Sequence, residues 1–161
     1  MHFEIKKVDK MKKVVIIFVV TISLFAGCQK EKQTLRESLW IVESMKVHKD
    51  SALQDAPSAW LGGFTLEFVG KQFVFSLKYN TIRGKVRIGN NKIDFETESI
   101  YGEFRDMFSE SCLHILTNNI NRYNIYDEHG VLNCKVIYDA RLVLTGDNGE
   151  KINFVRLKEF L

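Results

Sequence analysis

The chain has 161 residues, 45% of them hydrophobic, with a single proline. That length predicts one domain, and that composition excludes a disordered chain. Lys and Arg number 23 against 20 Asp and Glu, but residues 1–27 hold five lysines and two acidic residues, so the chain beyond them carries 18 of each sign. A neutral body counts against nucleic-acid binding, which needs a basic surface or a concentrated basic patch.

In chain order, Met11-Lys12-Lys13 comes first, followed by an uncharged run of twelve residues from Val14 to Phe25, then Ala26-Gly27-Cys28. The run is too short for a spanning helix, which needs about 20 residues, and it suits a signal peptide. Leu24-Phe25-Ala26-Gly27-Cys28 resembles the lipobox of bacterial lipoproteins. The resemblance implies that Cys28 is acylated, palmitate included, and becomes the first residue of an exported, lipid-anchored protein of the cell envelope. Several acyl chains hold a protein stably, each buried methylene contributing about 0.8 kcal/mol. Gln29 follows the cysteine where an Asp would retain an enterobacterial lipoprotein at the inner membrane, so the resemblance points to the outer membrane. Residues 1–27 are then the signal peptide, 28–37 a polar tether and 38–161 a single domain. Met1–Lys10 fits no part of a leader, which makes Met11 an alternative start.

From Ser38–Met45 onward the dominant pattern is alternation with period two, the mark of strands with one buried face. Phe64, Leu66 and Phe68 alternate with polar residues. So do Phe73, Phe75 and Leu77, then Ile82, Val86 and Ile88, then Ile93 and Phe95. Val69-Gly70-Lys71, Gly89-Asn90-Asn91, Glu128-His129-Gly130 and Asp147-Asn148-Gly149 supply turn chemistry. Later strands are expected at Asn121–Tyr126, Val131–Tyr138, Ala140–Thr145 and Lys151–Leu157. Phe104, Met107, Phe108, Cys112 and Ile115 break the period with spacings of three and four, which predicts an amphipathic helix of about four turns. The fold class is therefore mainly β, α+β in detail. An antiparallel sheet or partly closed barrel of roughly nine short strands is expected, with one helix packed against it. The stretch 47–63 is long for a loop.

At this point the order of motifs resembles the META/HslJ family of small bacterial envelope proteins. The resemblance runs from Leu39-Trp40 through Phe64–Phe68 and is best from Tyr79-Asn80 to Phe95. It continues through Glu110, Leu116 and Tyr123 and ends at Leu142–Phe154. Tyr79 stands where the family commonly has a Cys, and Tyr126–Asp139 reads as an added strand. The resemblance implies a non-enzymatic envelope protein of stress tolerance or protein interaction.

No catalytic residues, metal ligands or cofactor are expected. His48, His114 and His129 show no metal-ligand spacing, and there is no Cys-x-x-Cys. Nucleophile-elbow, phosphate-loop and dinucleotide motifs are lacking. Asp94, Glu96 and Glu98 could be paired carboxylates, and Arg83, Lys85 and Arg87 a basic stripe; a solvated face is the plainer reading of both. Trp60 and Leu61 are either an exposed contact for a partner or a plug closing the core. Cys112 and Cys134 remain an even pair once Cys28 is lipidated, and are expected to form a disulfide in an exported domain; two buried free thiols are the alternative. The partners expected are the membrane, through the lipid anchor, and either an envelope protein or a small hydrophobic ligand. Two further functions stay open: a lipocalin-like carrier of such a ligand, and an inhibitor of an envelope-directed hydrolase.

Overall fold

Ten strands and one helix follow one another in the computed structural model, which describes residues 35–36, 38–57, 63–103, 105–133 and 136–160, the side chains of Glu159 and Phe160 excepted. The strands are β1 (Leu39–Lys46), β2 (Gln54–Asp55), β3 (Thr65–Val69), β4 (Gln72–Leu77), β5 (Asn80–Ile88) and β6 (Ile93–Gly102). After the helix α1 (Met107–Asn118) come β7 (Ile120–Tyr126), β8 (Gly130–Leu132), β9 (Val136–Gly146) and β10 (Lys151–Phe160). All pair antiparallel, in the order β6-β5-β4-β3-β1-β10-β9-β7, with β2 beside β1 and β8 beside β9.

The alternation explains why this sheet curls. Trp40, Val42, Leu66, Phe68, Phe73, Phe75, Ile82, Val86, Phe95, Leu142, Leu144, Ile152 and Phe154 all point to one face and are buried in one core. A single twisted sheet can bury one face completely only by wrapping it around itself. Its terminal strands meet at an isolated bridge between Lys92 and Arg122, reinforced by the Tyr123 amide donating to the Asn91 carbonyl at 3.0 Å. The ladder does not run on from there, so the sheet is curled but not closed into a barrel. Gly84 lets the hairpin of β5 and β6 pack tightly, because a Cβ there would stand 2.1 Å from the Glu96 carbonyl oxygen.

The two ends of the curled sheet are covered differently. The β6–β7 connection carries α1 across one of them. Asp106 caps it, accepting from the Ser109 amide at 2.7 Å and from the Ser109 hydroxyl at 2.7 Å. Ser109, Cys112, Ile115 and Leu116 are its buried residues, and the Phe108 ring meets Phe64 edge to face. The helix is shorter than the spacing predicts, and its buried stripe is rotated: Met107 is 83% exposed. Asp106 ends the helix one residue before Met107, so Met107 sits in the first turn beyond the core. Phe104 lies outside the described residues. At the other end, fully buried Leu35 accepts a hydrogen bond at its carbonyl from the Trp40 indole, 3.2 Å away.

Three sequence expectations need correction. The inserted strand at Val131–Tyr138 is a tight hairpin of β8 and the start of β9, broken at Asn133, which adopts a left-handed φ of 49°. Asn tolerates that conformation better than other non-glycine residues. The expected break between Tyr138 and Ala140 does not occur, because β9 continues through Asp139, whose carboxylate accepts from Arg156 of β10 at 2.6 Å. The long 47–63 connection is partly a strand, since β2 pairs with Ser44 and Met45 of β1.

The closing hairpin of β9 and β10 is tied to α1 through Glu150, which is buried. Its carboxylate accepts from the Asn119 side chain at 2.7 Å and from the Asn148 amide at 2.9 Å. Burial opposes its charge, but these hydrogen bonds outweigh burial and hold its pKa below the ordinary 4.5. A depressed carboxylate stabilises the fold above its unfolded value, and that contribution disappears as pH falls through the folded value. Glu150→Gln should therefore cost about 1–2 kcal/mol at neutral pH. Urea unfolding at a series of pH values checks this: the gap between the two proteins should narrow below pH 4.5. A gap that stays constant into acid would contradict the assignment.

Candidate functional site

Cys28, Cys134, Trp60 and Leu61 lie outside the described residues. Of the expected disulfide, the described half is Cys112, which is a free buried thiol rather than a bridged one. Its Sγ lies 3.3 Å from the Met45 sulfur inside the main core. Leu132 and Val136, the described neighbours of Cys134, pack instead with Ile41, Tyr138 and Val155 on the opposite face of the sheet. Burial pushes the Cys112 thiol far up in pKa, so it is a hydrophobe, not a nucleophile.

The two charged stripes neutralise each other. Lys85 meets Glu98 at 2.8 Å, and Arg87 meets Asp94 at 3.3 Å and Glu96 at 3.5 Å, all across β5 and β6 and all exposed. Glu98 raises the Lys85 pKa through that hydrogen bond and its charge. The solvated-face reading fits Asp94, Glu96 and Glu98: each is exposed and has a basic neighbour. His114 and His129 are exposed, His129 within 3.3 Å of Asp127. Among the described residues there is no group of three or more side chains that could hold a metal ion.

Sequence reasoning missed the outer face of β1, β9 and β10. There Arg141 extends between two carboxylates. It donates from Nη1 and Nη2 to Glu43, the latter at 3.1 Å, and from Nε and Nη2 to Glu128 at 2.9 and 3.1 Å. Beside it the buried Asn153 amide donates to the Ser44 hydroxyl at 2.8 Å. With Leu53, Asp55, Leu132 and Asn133 these side chains line a groove of roughly 310 Å³. Its one cation is already held by two carboxylates, so the groove offers carboxylate and amide edges rather than an unpaired positive charge. These residues are 98 and 109 positions apart in their pairs, and no local pattern could bring them together on paper.

A second concavity, of roughly 480 Å³, follows the incomplete seam of the barrel, between Ile88, Lys92 and Ile93 on one side and Ile120 and Asn121 on the other. Asn80, within the best-matching stretch of the sequence resemblance, is buried at the α1 end with neither side-chain polar atom hydrogen-bonded. Tyr79, beside it, is exposed in a turn, with Lys78 and Arg105 over its ring.

The Arg141 network yields a prediction. Arg141→Met leaves the largely buried Glu43 carboxylate unpaired and should cost about 2–3 kcal/mol, because breaking one partner of such a pair strands the other charge. Adding Glu43→Leu should recover most of that loss in thermal or urea unfolding. Strictly additive losses would contradict the coupling.

No family model matches the chain, and no curated protein matches it. Two solved structures share its fold. One is the NMR structure of a protein from Burkholderia xenovorans, 20% identical, with a TM-score of 0.55 over 79% of this chain and 86% of that one. The other is the crystal structure of a DUF4847 family protein from Bacteroides vulgatus, 14% identical, with a TM-score of 0.56 over 80% of this chain and 98% of that one. At these identities the likeness is one of fold: a mainly antiparallel, partly closed sheet with one helix.

Proposed function

We propose that this protein is a non-enzymatic lipoprotein of the bacterial envelope, of META/HslJ type, anchored by Cys28. It acts through surface contacts in stress tolerance or envelope protein interaction. The observation that carries the reading is the position of Leu35. It is fully buried seven residues after Cys28, and the sequence between them, Gln29–Thr34, is polar and of a length that suits a tether. The outer membrane is the proposed location, on the strength of Gln29 after the cysteine.

The interior favours surface contact over carriage of a hydrophobic ligand. Trp40, Phe64, Phe73, Phe75 and Phe154 fill the barrel and are each no more than 1% exposed. The described concavities are on the outside, at the Glu43–Arg141 groove and along the seam. No helix among the described residues is long and apolar enough to cross a membrane, so in this reading attachment depends on the lipid.

Replacing Cys28 with Ser in cells fed a fatty-acid analogue tests the anchor. The wild type should carry the label and fractionate with membranes, and the variant should lose both. A wild type without label, or a variant that keeps it, would sink the reading.

A further inference from the structure

We infer that the open edge of β6 is an interface between two copies of this chain, which pair antiparallel along it as a weak two-fold dimer. β6 ends the strand order, and its ladder is with β5. From β7, Arg122 and Tyr123 reach only Lys92 and Asn91, before β6 begins. Beyond them the free side of β6 has no backbone partner among the described residues. Natural sheets blunt such an edge by keeping it short or by placing Lys or Pro on it. β6 is ten residues long and contains neither.

Strand register identifies which backbone groups are free and what matches them. The Val86 amide donates to the Lys71 carbonyl at 2.8 Å, away from β6. Backbone groups alternate in direction along an antiparallel strand, so Phe95, opposite Val86, and then Thr97 turn theirs to the open side. The bulge at Glu98 shifts the alternation by one residue, and Ile100 and Gly102 turn outward after it. The outward positions are thus spaced two, three and two residues apart. A regular strand cannot meet that spacing, but an antiparallel second copy can, because the spacing reads the same in both directions. Thr97 then faces the second copy's Ile100, and Phe95 its Gly102. Glu96 lies beside Tyr101 and Glu98 beside Ser99, so no carboxylate of the paired strands directly faces another. The two Glu98 side chains nearest the two-fold axis are each held by Lys85 at 2.8 Å.

The side chains around this edge are apolar. Ile100 is 47% and Tyr101 60% exposed, and as consecutive strand residues they point to opposite faces, so an added strand is flanked by both. Tyr79, 43% exposed, backs on Gly102, where a Cβ would stand 2.0 Å from the Tyr79 carbonyl oxygen. Arg105 lies 5.5 Å over the Tyr79 ring, and Met107, 83% exposed, opens α1 two residues later. These are four of the eight exposed large hydrophobic side chains among the described residues, so half of them gather at one strand edge. At about 200 Å² for each full side chain they present roughly 450 Å². A stable interface buries about 800 Å² per copy. The patch together with the strand edge reaches the low end of that scale, which makes the dimer reversible rather than obligate.

The test uses the chain from Gln29 onward, without lipid, so that it does not depend on acylation. This form keeps the whole described core, which starts at Leu35. In sedimentation equilibrium from about 1 µM to 1 mM, the span of weak affinities, the mass should rise from monomer to dimer and stop there, because pairing uses up the open edge of each copy. Thr97→Pro removes an N–H that points away from β5, where an edge strand tolerates proline. It should raise the dissociation constant about tenfold or more. Ile100→Glu should do the same by placing a charge inside the contact, and it decides the matter if the proline variant does not fold. Val69→Glu makes the same kind of change at a 54% exposed site on β3 and should leave the constant within about twofold. Circular dichroism matching the wild type confirms that each variant is folded. A monomer at every concentration, a mass that climbs past the dimer, or a folded edge variant that dimerises as well as the wild type would overturn the inference. So would equal weakening by Val69→Glu.

Discussion

The hydrogen bond from the Trp40 indole to the Leu35 carbonyl joins the two demands this sequence has to meet. A curled sheet buries large aromatic side chains but leaves two open ends, and an indole N–H inside it needs a partner. The backbone entering from Leu35 supplies that acceptor at 3.2 Å, while its side chain fills the space below. At the other end α1 does the equivalent work, with Cys112, Ile115 and Leu116 buried and Phe108 against Phe64. The core between them is continuous, from Leu35 through Phe75 and Phe154 to Ile115.

The outer surface is not uniform. The faces of β5 and β6 carry alternating charges that cancel in exposed pairs, worth little to stability. The face of β1, β9 and β10 is more built. The β8 hairpin folds over Ile41 and Val155 to make a second, small apolar cluster, and Arg141 binds two glutamates beside it.

Much of this was legible in the sequence because strand alternation is local. Phe64-Leu66-Phe68, Phe73-Phe75-Leu77 and Ile82-Val86 all bury the residues their spacing selects. The helix was legible for the same reason, though Met107 was not, since its place depends on where Asp106 caps the turn. The hairpin at Asn133 was missed because apolar residues continue on both sides of it, and only the left-handed backbone of Asn133 reveals the break. β9 continues through Asp139, whose carboxylate is met by Arg156, a partner in another strand. The groove at Arg141 was invisible for a related reason: its ion pairs and its Ser44–Asn153 bond join residues far apart along the chain.

The claim that the barrel is full, and that contacts are therefore external, is open to direct measurement. Titrating the native domain with a lipophilic fluorescent probe, with Trp60→Phe leaving Trp40 as the sole indole, reads occupancy of the interior. The account expects no saturable binding and no quenching of Trp40 until the protein unfolds. Stoichiometric binding that quenches Trp40 in the folded protein would contradict it.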